Sequence, residues 1–311
     1  MSIPSSILSR IGNTPLLHLR SLVPKTSARI LLKLESENPT GSMKDRMALA
    51  MIEAAEKDGR LKPGGNIVEY TGGSTGVSLA LVCAAKKYTL HIVSSDAFSA
   101  QKLDQMRALG ANLTIIKSID GGMSAALTRE MIETARQIRE RTGGFWTNQF
   151  SNPDQLNAYR AMAAEILQES GGHIDAFVQS VGTCGSLRGT SETLRAQKPN
   201  IHIVAVEPAE SAVLSGKPTG AHKIEGIGAG FVPPLWNANL ANEITSVSTE
   251  EAKSMARRLA REEAIMAGTS TGANLVAALK VAEHLEPDAT VVTLMCDSGM
   301  KYLSGDLYRA S

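Results

Sequence analysis

The chain has 311 residues, 43% hydrophobic and 20% charged, which is too apolar for disorder and long enough for about two compact units. Lys plus Arg (32) and Asp plus Glu (31) leave a net charge of +1, so no basic excess points to nucleic acid. The longest apolar run, Val77 to Ala85, falls short of the ~18 residues that span a bilayer, and the first residues show no secretory pattern.

In chain order, short β-rich runs alternate with helical patterns. Arg29 to Leu34 is a predicted strand, Met47 to Asp58 a helix, Asn66 to Tyr70 a strand that runs into Thr-Gly-Gly-Ser-Thr-Gly, and Val77 to Lys87 a helix. Leu90 to Ser94 and Asn112 to Lys117 read as strands, with helices at Ser99 to Leu109, Ala125 to Arg141 and Gln155 to Gln168. Strands follow at Ile174 to Ser180, His202 to Val206 and Thr290 to Met295, and helices at Ser186 to Ala196 and Thr249 to Ala267. Ser248 and Glu251 give the last helix a capping box. Such alternation means α/β architecture, two doubly wound domains with mostly parallel sheets. The expected division is 1–150 and 151–311, joined near Thr147 to Pro153.

Four segments carry chemistry. Gly41-Ser42-Met43-Lys44-Asp45-Arg46 puts a lysine in the first turn of a helix, where the dipole disfavours its ammonium form. Alone it reads as a surface lysine; in a site it could form a Schiff base with a carbonyl. Thr71-Gly72-Gly73-Ser74-Thr75-Gly76 is a strand–glycine–helix turn that aims backbone N–H groups and hydroxyls at a carboxylate or a phosphate. Val181-Gly182-Thr183-Cys184-Gly185-Ser186 repeats the geometry and suits a phosphate monoester, without being a Rossmann fingerprint or a P-loop. Cys296-Asp297-Ser298-Gly299 follows an apolar strand, the end at which open α/β sheets bind ligands. A lysine, two anion cradles and a hydroxyl together fit pyridoxal 5′-phosphate (PLP). No zinc spacing or H-E-x-x-H motif is present among the three cysteines and six histidines, so no metal is expected.

The segments Ile11 to Leu16, Gly41 to Arg46, Asn148 to Pro153, Gly226 to Pro233, Gly268 to Gly272 and Asp297 to Ser304 resemble, in order, the cysteine synthase (O-acetylserine sulfhydrylase) family of fold-type II, tryptophan synthase β-like PLP enzymes. Composition, the lack of a secretory pattern and the scattered cysteines suggest a cytoplasmic protein, and the resemblance implies a homodimer acting on a β-substituted amino acid and a small nucleophile such as sulfide. Lys44 matches the PLP lysine, Gly182, Thr183, Cys184, Gly185 and Ser186 the phosphate loop, and Ser298 the hydroxyl at the pyridine nitrogen. Thr71, Gly72, Gly73, Ser74, Thr75 and Gln149 match the substrate-carboxylate site, and Ser74 also reaches the cofactor. A mobile part near 90–145 and packing of residues near 16–36 with the C-terminal domain are implied too. Where the family loop reads T-S-G-N-T-G, this chain has Gly72 and Ser74, which puts the substrate end in question. Related eliminations or replacements (cysteine desulfhydrase, serine dehydratase, diaminopropionate-type synthase) are the alternative, and a non-catalytic PLP-fold binding protein a more distant one. Cys184 stands where the family has glycine, and is expected to keep φ below zero.

Overall fold

β-Branched and aliphatic residues crowd the strand segments because a pleated, buried surface suits them. In the computed structural model, which describes residues 5–119 and 125–309, the chain runs through β1 (Leu16–His18), β2 (Arg29–Leu34), α1 (Lys44–Lys57), β3 (Asn66–Tyr70), α2 (Ser74–Lys86), β4 (Thr89–Ser95) and α3 (Ala100–Ala108). It continues through β5 (Asn112–Ile116), α4 (Ala125–Thr142), β6 (Phe145–Trp146), α5 (Gln155–Glu169), β7 (Ala176–Ser180) and α6 (Gly185–Gln197). Then come β8 (His202–Pro208), β9 (Glu243–Val247), α7 (Thr249–Glu262), α8 (Thr269–Glu283) and β10 (Thr290–Met295).

These elements form two compact units. The first comprises the described residues up to Ile11 together with Lys44–Gln155, and the second Gly12–Met43 together with the described residues from Leu156 onward. The division is therefore not a single cut near residue 150. In the first unit four parallel strands lie in the order β5-β4-β3-β6. In the second the order is β1-β2-β10-β7-β8-β9, antiparallel only between β1 and β2. Every residue of β7 and β10 is buried, as expected of central parallel strands covered on both faces. Residues 12–43 join this sheet because β2 pairs in parallel with β10, Leu32 opposite Thr293.

Two local differences from the sequence reading have physical causes. The helix expected over Thr249 to Ala267 stops at Glu262, because Ala264 takes a left-handed φ of 58°. The Glu263 carboxylate there accepts the backbone N–H groups of Arg20, Ser21 and Leu22 at 2.6–2.8 Å. Helix α8 escaped notice because it is buried on nearly all faces and so shows no 3.6-residue polarity period. A Cβ on its Gly272 would come within 2.0 Å of the Ala252 carbonyl oxygen, so α7 and α8 pack at backbone contact. The Ser248–Glu251 capping box forms with both of its hydrogen bonds.

Candidate functional site

In the first unit β3 ends at Tyr70 and leads into the loop at 71–76, whose Thr71 N–H donates to the Val93 carbonyl of β4 at 2.9 Å. Glu69, a charged residue inside an apolar strand, is fully buried and accepts four hydrogen bonds. One oxygen takes the Tyr70 N–H (2.9 Å) and the Trp146 indole N–H (3.3 Å). The other takes the Thr147 hydroxyl (2.7 Å) and the Gln149 N–H (3.0 Å). Burial pushes its pKa up, against the pull of those donors. Gln149, held by its backbone to Glu69, accepts the Thr75 hydroxyl at 2.7 Å through its side-chain oxygen. Thr71, Gly72, Gly73, Ser74, Thr75 and Gln149 thus belong to one connected element.

The two adjacent glycines of this loop differ. A Cβ on Gly72 would lie 1.9 Å from Phe98 Cγ, whereas one on Gly73 would meet nothing within 4 Å. Ser74 is the first residue of α2, and Gly73 precedes it as an N-cap with no side-chain hydrogen bond, so the first-turn N–H groups of α2 face the loop. Gly76 faces the fully buried Met106, whose Cε would be 2.6 Å from an added Cβ. Lys44 is the first residue of α1 and is half-buried. Beside it, the buried Asp45 carboxylate accepts the Ser78 hydroxyl at 2.6 Å and clips α1 to α2.

In the second unit the loop Gly182 to Ser186 joins β7 to α6. A Cβ on Gly182 would fall 2.3 Å from the Gly226 carbonyl oxygen, so only glycine fits there. Gly228 N–H donates to the Val181 carbonyl at 3.0 Å and pins that neighbouring segment. Thr183 Oγ1 takes the Gly185 N–H at 3.4 Å, and the N-cap of α6 makes no side-chain hydrogen bond. The Ser180 hydroxyl is buried without a hydrogen-bonding partner. Uncapped helical N–H groups, hydroxyls and a close-approach glycine fit a phosphate monoester. At the end of β10, Ser298 donates its N–H to the Gly41 carbonyl (3.0 Å) and accepts the Met300 N–H through Oγ (3.3 Å). Met43 N–H donates to the Cys296 carbonyl at 2.9 Å, and Lys44 follows in the chain.

Cys184 overturns the expectation of a negative φ. Its φ is 70° and its ψ −8°, the left-handed region, at the N-cap of α6. The turn from Gly182 into the helix needs that conformation, at about 1–2 kcal/mol for a residue with a Cβ. The side chain is buried, and burial pushes its thiol up to about 12, which leaves it a packing group rather than a nucleophile.

Two further buried polar residues support the Gly182–Ser186 loop. Gln179 Nε2 donates to Ser186 Oγ at 3.2 Å and reaches Cys296 Sγ at 3.8 Å. Asn274, in the middle of α8, takes the Ser180 N–H at 2.8 Å and donates to Gln179 Oε1 at 2.9 Å. With Glu69 they were missed as site residues, although a polar residue inside an apolar run is the available signal. Among the described residues no group of His, Cys, Asp and Glu gathers as a metal site, and no helix is long and apolar enough to cross a membrane.

The sequence profile described as "Pyridoxal-phosphate dependent enzyme" matches residues 7–297. A cysteine synthase of Staphylococcus aureus is 42% identical over 305 residues, covering 97% of this chain and 96% of that protein. The solved structure of O-acetyl serine sulfhydrylase isoform 3 from Entamoeba histolytica superposes with a TM-score of 0.94 at 40% identity, covering 100% of this chain and 93% of that one. An O-ureido-L-serine synthase structure matches with a TM-score of 0.93 at 35% identity, over 99% of this chain and 96% of that one.

Proposed function

Because this chain belongs to the pyridoxal-phosphate dependent enzyme family, we propose that it is a cysteine synthase, exchanging the acetoxy group of O-acetyl-L-serine for sulfide to give L-cysteine and acetate. Bound PLP would supply an electron sink that labilises the α-proton and the β-substituent. Lys44 Nζ would anchor the cofactor and would supply the general base for the α-proton. Gly182, Thr183, Cys184, Gly185 and Ser186 hold the phosphate through main-chain N–H groups and hydroxyls, and Ser298 offers the ring nitrogen a neutral hydroxyl. Thr71, Gly72, Gly73, Ser74, Thr75 and Gln149 grip the substrate carboxylate. A homodimer in the cytoplasm belongs to the same proposal.

The observation that carries the reading is the Thr75–Gln149 hydrogen bond beside the open face of Gly73, which leaves the Gln149 amide N–H groups to meet an anion. The PLP-loaded protein should form cysteine from O-acetylserine and sulfide faster than from O-phosphoserine or serine. Turnover of another amino acid with none of O-acetylserine would overturn it. One observation favours a second reading, β-replacement with a nucleophile other than sulfide: Phe98 fills the side-chain space at Gly72, so the substrate end is remodelled.

A further inference from the structure

We propose that Phe98 is a positioning residue for the amino-acid substrate, the fixed back wall of the 71–76 loop, and that Gly72 and Gly73 make room for different things: Gly72 for the Phe98 ring, Gly73 for the ligand. The proposal rests on the reading of this loop as the carboxylate site. A Cβ on Gly72 would lie 1.9, 2.0 and 2.4 Å from Cγ, Cδ2 and Cδ1 of Phe98, so the ring lies directly over that position. Gly72 is not left-handed, so its need for glycine is steric rather than conformational.

The ring is held from behind. It packs with Tyr70 and Trp146 against the core of Val68, Val93 and Leu127. Phe98 N–H donates to the Ser95 carbonyl at 3.2 Å, and the preceding Ala97 N–H donates to Ser95 Oγ at 3.2 Å. Asp96 takes both the N–H and the hydroxyl of Ser118 at 2.8 Å and pairs with Lys117. On the other side, Thr71 N–H donates to the Val93 carbonyl at 2.9 Å, so the loop starts from a fixed point. A ring so anchored cannot yield to a side chain at residue 72, and it sets the path of the loop into α2. The carboxylate then meets main-chain N–H groups, the hydroxyls of Thr71 and Ser74 and the Gln149 amide that Thr75 orients, with no side-chain donor from residue 72.

The test uses the full-length holoenzyme for kinetics and the cofactor-free chain for thermal melting, with Phe98→Ala, Phe98→Tyr, Gly72→Ala, Gly73→Ala and the Phe98→Ala/Gly72→Ala pair. Phe98→Ala should raise KM for O-acetylserine about ten-fold, the loss of roughly one directed contact, with kcat and the KM for sulfide within about two-fold. Phe98→Tyr should keep the wild-type KM. Gly72→Ala should lower Tm, and adding Phe98→Ala should recover part of that loss, since contacting sites are not additive. Gly73→Ala should leave Tm unchanged and raise KM. Additive Tm changes, or a Phe98→Ala variant with a lower Tm but an unchanged KM, would overturn the proposal. A wild type that does not turn over O-acetylserine at all overturns the proposed function instead and removes the substrate role with it, while the Tm coupling still reports whether the ring and Gly72 fit as described.

Discussion

The Gln149 side-chain oxygen takes the hydrogen of the Thr75 hydroxyl at 2.7 Å. That bond uses the amide oxygen, so the N–H groups are what the proposed carboxylate site would draw on. Gln149→Ala should therefore raise KM for the amino acid about ten- to a hundred-fold, the value of one hydrogen bond to a charged group at about 1.5–3 kcal/mol. Thr75→Val, which removes only the hydroxyl that orients the amide, should cost less. Steady-state kinetics with amino acid and sulfide varied separately distinguishes the effect from a general loss, because the KM for sulfide should hold.

Glu69 stands behind that amide. Glu69→Gln preserves the shape but offers one oxygen where four donors converge on two. Two donors lose their acceptor, so unfolding free energy should fall by about 2–6 kcal/mol at about 1–3 kcal/mol each. Denaturant titration measures it. A loss under 1 kcal/mol, on the order of a single ordinary hydrogen bond, would mean that the strand end relaxes freely.

Lys44→Ala should abolish turnover and the visible absorbance of the PLP-loaded protein while the far-ultraviolet circular dichroism stays unchanged. The side chain is only half-buried, so its removal should leave the core and the fold intact. A yellow, active variant would show that another lysine carries the cofactor.

Cys184 occupies a left-handed backbone position. Cys184→Val adds β-branching where a branched side chain is most strained, so it should melt well below Cys184→Ala, by about 1–2 kcal/mol. Equal melting temperatures for the two variants would place the turn outside that strained region.

At α7, the Ser248 backbone N–H and hydroxyl hold the Glu251 carboxyl below its ordinary range. A depressed folded value stabilises the protein above the unfolded carboxylate pKa of about 4.3, and that stability is lost as pH falls through the folded value. Ser248→Ala should cost about 1 kcal/mol at pH 7. The gap between the thermal melts of wild type and variant should narrow as the pH drops below about 4.3, the ordinary carboxylate value, and the share from Ser248 Oγ accepting the Glu251 N–H should persist.

Most strands, the capping box and the three glycine- or serine-rich strand ends are legible in the amino-acid sequence because each depends on neighbours within a few residues. The segments of Ser74 and Ser298 stand out for the same reason, strand–turn geometry being written locally, whereas Lys44 read alone is a surface lysine and takes its role from the family resemblance. Helix α8 is not legible, since burial on nearly every face erases its polarity period. Nor is the sign of φ at Cys184, which a side chain alone does not dictate.

Set against the family pattern it resembles, the sequence by itself marks Gly72 and Ser74 as the departures in the 71–76 loop. Only the tertiary structure decides what the departure at Gly72 means. Parallel pairing of β3 with β4, Tyr70 opposite Val93, delivers the turn after Ser95 to the loop after Tyr70 and lays Phe98 over Gly72. Those two residues are far apart along the chain, and their contact follows from strand register, which acts between segments and leaves no mark within either one.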